Sequence, residues 1–180
     1  FYECPEFDKP DNLRNNKLIT FLGKFSESKG AFDLLNAYSL IGESDEYSLA
    51  YFGGGQLKEV LEKTIRDKKL QKVSVYPSIP TWKVPGLLRA TDVFFLGERE
   101  FYVKNHFSRK GNEAMLCKTP LIISSEMKNK GAYKQMIDGE HCLEVDPKDA
   151  KQLAKKLKII LSNEALSKKI QKNGYEFASK

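Results

Sequence analysis

Short apolar runs punctuated by glycine or proline alternate along this chain with amphipathic stretches of helical period. L-I-T-F-L-G (18–23), S-L-A-Y-F (48–52), V-S-V-Y (73–76), D-V-F-F-L (92–96), L-I-I-S (121–124) and H-C-L-E-V (141–145) have the length and content of strands. After the first, Phe32, Leu35, Tyr38 and Leu40 or Ile41 recur on one side of a helix that Gly42 can end. Further helices are predicted from the glycine triplet 53–55 to about Lys69, over 82–90, over 108–118, briefly over 131–137, over 148–161, and on to about Phe177. Thr81 can cap the helix over 82–90, with Pro85 in its first turn. Asp146 and Pro147 are predicted to open the helix over 148–161 as cap and first residue. The polar residues 1–17, with Pro5 and Pro10, are predicted to be a linker segment ahead of one domain over 18–180.

This alternation predicts an α/β domain, a parallel sheet of about six strands with helices on both faces. Such sheets bind ligands beyond the carboxyl ends of their strands. Here those ends are the loops beginning at Lys24, Gly53, Pro77, Gly97 and Ser125, all polar or bearing glycine or proline. The stretch from Asn105 to Ser125 joins a polar segment, a short helix and an apolar strand, with Glu113 near the start of the helix. A carboxylate there, close to free backbone N–H groups, suits a phosphorylated and polyhydroxylated ligand.

Composition narrows this picture. The 180 residues are 41% hydrophobic, enough for one packed domain, and no apolar run approaches the length of a membrane span. The N-terminus lacks the basic and apolar segments of a signal peptide. Cys4, Cys117 and Cys142 are odd in number and widely spaced, which argues against a metal site or disulfide framework and for a reducing cytoplasm, with Cys117 and Cys142 predicted to be small core residues. The net charge of +6 allows nucleic acid, an anionic membrane surface or a phosphorylated small ligand. No basic strand rich in aromatics accompanies it, which argues against nucleic acid. The basic stretches 63–72 and 148–172 have the spacing of solvated helix faces.

The ordered motifs then point to a family. G-K-F-S-E-S-K-G resembles the "G-R-x-x-x-x-K-G" segment of retaining GT-B glycosyltransferases of family 4, and L-A-Y-F-G-G-G resembles their "L-x-x-x-G-x-G". V-P-G-L-L-R-A-T-D-V-F-F-L and N-H-F-S-R-K-G-N-E-A-M-L-C-K-T-P-L-I-I-S are similar to the family's two following motifs, and E-F-D-K-P to its interdomain linker. The resemblance covers nearly the whole chain. It implies a Rossmann-like three-layer α/β/α domain, the C-terminal half of a GT-B enzyme, binding a UDP-, GDP- or ADP-linked sugar without a metal or other cofactor. The acceptor-binding N-terminal half has no counterpart in these residues, so the domain alone is expected to be inactive.

The resemblance also implies roles. Lys24 and Lys29 would contact the diphosphate leaving group, Lys24 standing where the family has arginine. Gly23, Gly53 and Gly54 would let backbone approach the nucleotide, although a tight strand-to-helix turn explains the triplet equally well. Ser78 and Ile79 would meet the base, after Pro77 in place of the usual glycine. Phe107, Ser108 and Arg109 would bring backbone N–H groups to the diphosphate, with Lys110 adding charge, and His106 lies in the same loop. Glu113 would accept the ribose hydroxyls. Asn105 stands where the family's first glutamate holds the transferred sugar, unless Glu98 or Glu100 takes that place, and Lys118 stands where the family has glycine. These departures leave open a catalytically impaired binding or scaffold module. An unrelated α/β nucleotide-binding domain would lack a pocket between Lys24, Lys29 and Glu113. A cytoplasmic enzyme of glycan biosynthesis with peripheral membrane contact is the expectation.

Overall fold

The computed structural model describes residues 6–42, 46–100 and 108–180. Six strands form one sheet: β1 (Lys17–Lys24), β2 (Tyr47–Gly54), β3 (Val73–Tyr76), β4 (Val93–Leu96), β5 (Leu121–Ser124) and β6 (Leu143–Val145). The helices are α1 (Ala31–Ile41), α2 (Lys58–Asp67), α3 (Val84–Arg89), α4 (Arg109–Leu116), α5 (Ala150–Ser162) and α6 (Glu164–Ala178). The strand order is β3-β2-β1-β4-β5-β6, and every pairing is parallel.

The inner strands β1, β2, β4 and β5 are buried on both faces, which is why their apolar runs are continuous, while the edge strands β3 and β6 are only partly covered. Ile19, Phe21, Tyr51, Val93 and Phe95 point into a core shared with α1, α2 and α5. Leu18, Leu22, Phe52, Phe94 and Leu96 point the opposite way, into a core shared with α3 and α4. Helix α6 crosses between the layers: Ile170 belongs to the first core, while Phe177 packs on the second. The result is a three-layer α/β/α Rossmann-like domain. Among the described residues, no helix is long and apolar enough to cross a membrane.

Several local expectations need correction. The buried side of α1 is Leu34, Leu35, Tyr38 and Ile41, while Leu40 is exposed. Packing against both the sheet and α5 widens that face by one row. Helix α5 is capped by Asp149, whose carboxylate accepts the Gln152 N–H at 2.9 Å. Asp146 and Pro147 cannot open it, because Lys148 between them and the helix has a left-handed φ of +65°. Thr81 makes no capping bond. It starts a 3-10 turn (Thr81–Lys83) ahead of α3, which does carry Pro85 in its first turn. Residues 131–135 form a 3-10 turn rather than an α-helix. In the segment read as a linker, Leu13 is wholly buried and Phe7 packs edge-on against Phe52. Cys142 is buried, and burial pushes its thiol up to about 12, while Cys117 is half-buried. Cys4 lies outside the described residues.

Lys118 has a structural explanation. It follows α4 with a φ of +57°, its N–H bonded to the Met115 carbonyl and the Thr119 N–H to the Ala114 carbonyl, both at 2.9 Å. This is the helix-ending motif that glycine makes without Cβ strain. A non-glycine residue pays about 1–2 kcal/mol there. Lys118→Gly is therefore expected to raise stability by about 1 kcal/mol, or roughly 2–4 °C in a thermal melt for a domain of this size. An unchanged or lower melting temperature would mean that the Lys118 ammonium over the Tyr175 ring (5.1 Å) compensates the strain.

Candidate functional site

The sheet order reverses direction at β1. The segment after β1 leads to the α1 layer, and α4, after β4, lies on the other, so the two diverge and leave a crevice at the carboxyl ends of β1 and β4. A cleft of about 440 Å³ occupies it. Its apolar wall is formed by Phe21, Leu22, Phe52, Ile79, Val84, Phe95 and Leu96. Its polar wall carries four cations, Lys24, Lys29, Arg109 and Lys110, and two carboxylates, Glu98 and Glu113. An apolar wall facing a cationic one suits a ligand with a flat ring at one end and a polyanion at the other.

The structure brings together Gly23, Lys24, Lys29, Gly53, Ser78, Ile79, Ser108, Arg109 and Glu113 around this cleft. It leaves Gly54 outside the lining, where the Gly54 carbonyl accepts the Phe25 N–H at 2.7 Å. Asn105, His106 and Phe107 lie outside the described residues. Thr81, Val84 and Lys110 join the lining without having been assigned a ligand contact from the sequence.

Helix α4 delivers the polar wall. Ser108 is buried at its N-terminus and its hydroxyl makes no capping bond, so it leaves the first N–H groups of the helix to another acceptor. The Tyr133 hydroxyl fixes this end by donating to the Ser108 carbonyl at 2.6 Å. Gly111 makes the approach possible: a Cβ there would stand 2.2 Å from that hydroxyl oxygen. Burial lowers the Lys110 pKa; Glu113 opposes that, while Lys29 and Arg109 add to it. A bound anion would relieve the mutual repulsion of these cations.

Glu98 is 3% exposed on the cleft wall, yet it is ionised more readily than an ordinary glutamate. Burial pushes its pKa up, but hydrogen bonds from the Lys29 and Lys130 ammonium groups, with their charge, outweigh burial. Both oxygens are engaged, Oε1 by Lys29 and Oε2 by Lys130 at 3.0 Å. The following residue, Arg99, is also buried and pairs through two bonds with Asp33 of α1, at 2.9 and 3.3 Å. Glu100 points elsewhere, toward Lys148, and does not line the cleft. Sequence reading missed the Lys130 and Asp33 links because the partners are 32 and 66 residues apart. Nothing in the K-N-K-G run distinguishes a buried lysine from a solvated one. Among the described residues, no cluster of three or more His, Cys, Asp or Glu side chains could hold a metal ion.

A family model for glycosyl transferases group 1 matches residues 5–177. No curated protein matches the chain. Among solved structures, the chain is similar to the C-terminal domain of a glycosyl transferase group 1 family protein (LpcC) from Francisella tularensis. The TM-score is 0.80 at 23% identity, over 93% of this chain and 86% of that one. It is similar to HepE from Anabaena in complex with UDP and glucose, with a TM-score of 0.76 at 20% identity, covering 92% of this chain but 44% of that one. It is also similar to the catalytic domain of a cholesterol-α-glucosyltransferase from Helicobacter pylori, with a TM-score of 0.77 at 15% identity, over 91% and 97% of the two chains. At these identities the likeness is one of fold. The chain spans less than half the length of the HepE chain.

Proposed function

The chain belongs to the glycosyl transferases group 1, and from that premise we propose that it is the donor-binding half of a retaining glycosyltransferase. In this reading a nucleoside diphosphate sugar lies in the cleft at the ends of β1 and β4. A preceding domain would hold a glycan or lipid-linked acceptor across from it. The observation that carries the reading is the convergence of Lys24, Lys29, Arg109, Lys110 and Glu113 on one cleft with an apolar far wall. The base would lie on Ile79, with backbone of residues 78 and 79 at its edge. Glu113 would accept the ribose hydroxyls, and the lysines with the start of α4 would take the diphosphate.

As the bond between the anomeric carbon and the phosphate oxygen breaks, negative charge grows on the leaving diphosphate. Cations already in place stabilise that charge without reorganisation. HepE was crystallised with UDP, which makes UDP the first nucleotide to try. Saturable binding of UDP, GDP or ADP is expected. Lys29→Ala should weaken it at least tenfold, since one charge-assisted hydrogen bond contributes about 1.5–3 kcal/mol. No saturation by any of the three at millimolar concentration would sink the assignment.

An impaired module of the same fold is favoured only by Asn105, because Lys118 is explained by the end of α4 and lies away from the cleft lining. Sugar transfer at ordinary rates by the full-length protein would exclude it. For location, the reading is a cytoplasmic protein. The exposed Lys151, Lys155 and Lys158 of α5 would suit peripheral contact with an anionic membrane face.

A further inference from the structure

We infer that Glu98 and Lys130 set the charge at the anion end of the cleft. Glu98 holds the Lys29 ammonium against the wall, and Lys130 neutralises Glu98 from behind, so that Lys29 keeps a net positive charge to offer a diphosphate. The inference deepens the donor-cleft reading and rests on it.

A carboxylate in the lining of an anion site is a liability, because it repels the phosphates and cancels the charge of the lysine it touches. Glu98 is in that lining and touches Lys29. The chain meets the liability with a lysine that does not line the cleft at all. Lys130 is 5% exposed and reaches Glu98 from the segment after β5. Two ammonium groups on one carboxylate leave one net positive charge, and Lys29 is the cation of the two that faces the cleft.

The carboxylate in turn gives a fixed place to a long side chain that would otherwise sample many rotamers. The two residues after Glu98 are held by their backbone N–H groups. The Arg99 N–H bonds the Ser28 carbonyl at 2.9 Å, beside Lys29, and the Glu100 N–H bonds the Glu126 carboxylate at 2.6 Å, four residues before Lys130. The three segments at the ends of β1, β4 and β5 are thus tied together where the cations meet. Glu98 and Lys130 are positioning residues, acting on the ligand through Lys29.

Opposite signs test this. The affinity for UDP is measured in the wild-type chain, Lys130→Met, Glu98→Gln and the double variant, with uridine as a probe lacking phosphate. Losing one unit of positive charge near the diphosphate should weaken UDP about three- to tenfold in Lys130→Met, at an effective dielectric between protein and water. Glu98→Gln keeps an amide oxygen to hold Lys29 but removes the negative charge, so it should tighten UDP by a similar factor, and the double variant should return toward wild type. Uridine should respond to none of them. If both single variants weaken UDP and uridine alike, the triad only supports the fold and the inference is overturned; an unchanged Lys130→Met overturns it as well. Should Lys130→Met fail to fold, Glu98→Gln decides alone: tighter binding supports the inference, weaker or equal binding overturns it. A wild-type chain that binds neither UDP, GDP nor ADP overturns the donor-cleft reading itself, and this inference with it.

Discussion

Glu113→Ala is expected to raise the dissociation constant for a nucleoside diphosphate about a hundredfold while leaving the melting temperature nearly unchanged. The side chain projects from the second turn of α4 into the cleft and is partly exposed, so it is not part of the core. Its removal forgoes only a modest interaction with the helix dipole, about 0.3–1 kcal/mol. Binding suffers more, since a carboxylate accepting both ribose hydroxyls makes two charge-assisted hydrogen bonds. Each contributes about 1.5–3 kcal/mol, and losing about 3 kcal/mol is a hundredfold. Calorimetry with UDP and 2′-deoxy-UDP checks the assignment. Wild type should discriminate between them, and Glu113→Ala should not. Equal discrimination in both proteins would remove Glu113 from the ribose.

Gly53→Val is expected to cost about 3 kcal/mol or more of stability, which for a domain of typical stability threatens folding outright. Gly53 has a φ of +153°, and a Cβ built on it would lie 1.9 Å from the Gly23 carbonyl oxygen. That oxygen belongs to the backbone of β1, paired with β2 at the register Gly23↔Gly53. It cannot move without disturbing the β1–β2 pairing beside the cleft. Chemical denaturation measures the loss. A penalty under about 1 kcal/mol would show that the two strand ends spread apart at little cost, contrary to the close packing of interiors.

The glycine triplet shows how far a local reading reaches. From the residues alone, Gly53, Gly54 and Gly55 are interchangeable members of a turn or an approach site. In the fold they differ. Gly53 is locked against another strand, a Cβ on Gly54 would meet nothing within 4 Å, and Gly55 lies against the Lys24 side chain. The conformational demand comes from a neighbour about thirty residues earlier in the chain, which no window of sequence contains. Helix α5 shows the same limit: Asp146-Pro147 has the right letters for a helix start, but the left-handed turn at Lys148 hands the cap to Asp149.

Other features were legible because their causes are local. The strands were visible as short, mostly apolar runs because a parallel sheet covered by helices on both faces buries most positions of its inner strands. The family was visible because its motifs sit at strand ends, where the general rule for α/β sheets already places a ligand. Lys24, Lys29, Ser78, Arg109 and Glu113 follow from those motifs, and the fold brings them to one cleft.

What the sequence by itself determined is therefore the layered architecture, the family and most of the segments that line the cleft. All are written in periodicity and in short motifs. What only the tertiary structure decided is the electrostatic balance of the cleft. Glu98 reads as one of two alternatives for the family's first glutamate until Lys29 and Lys130 are seen on its two oxygens, and Lys118 reads as a lost glycine until its left-handed turn is seen. Charge and strain depend on distance in space, and burial multiplies both by excluding the water that would screen or relax them.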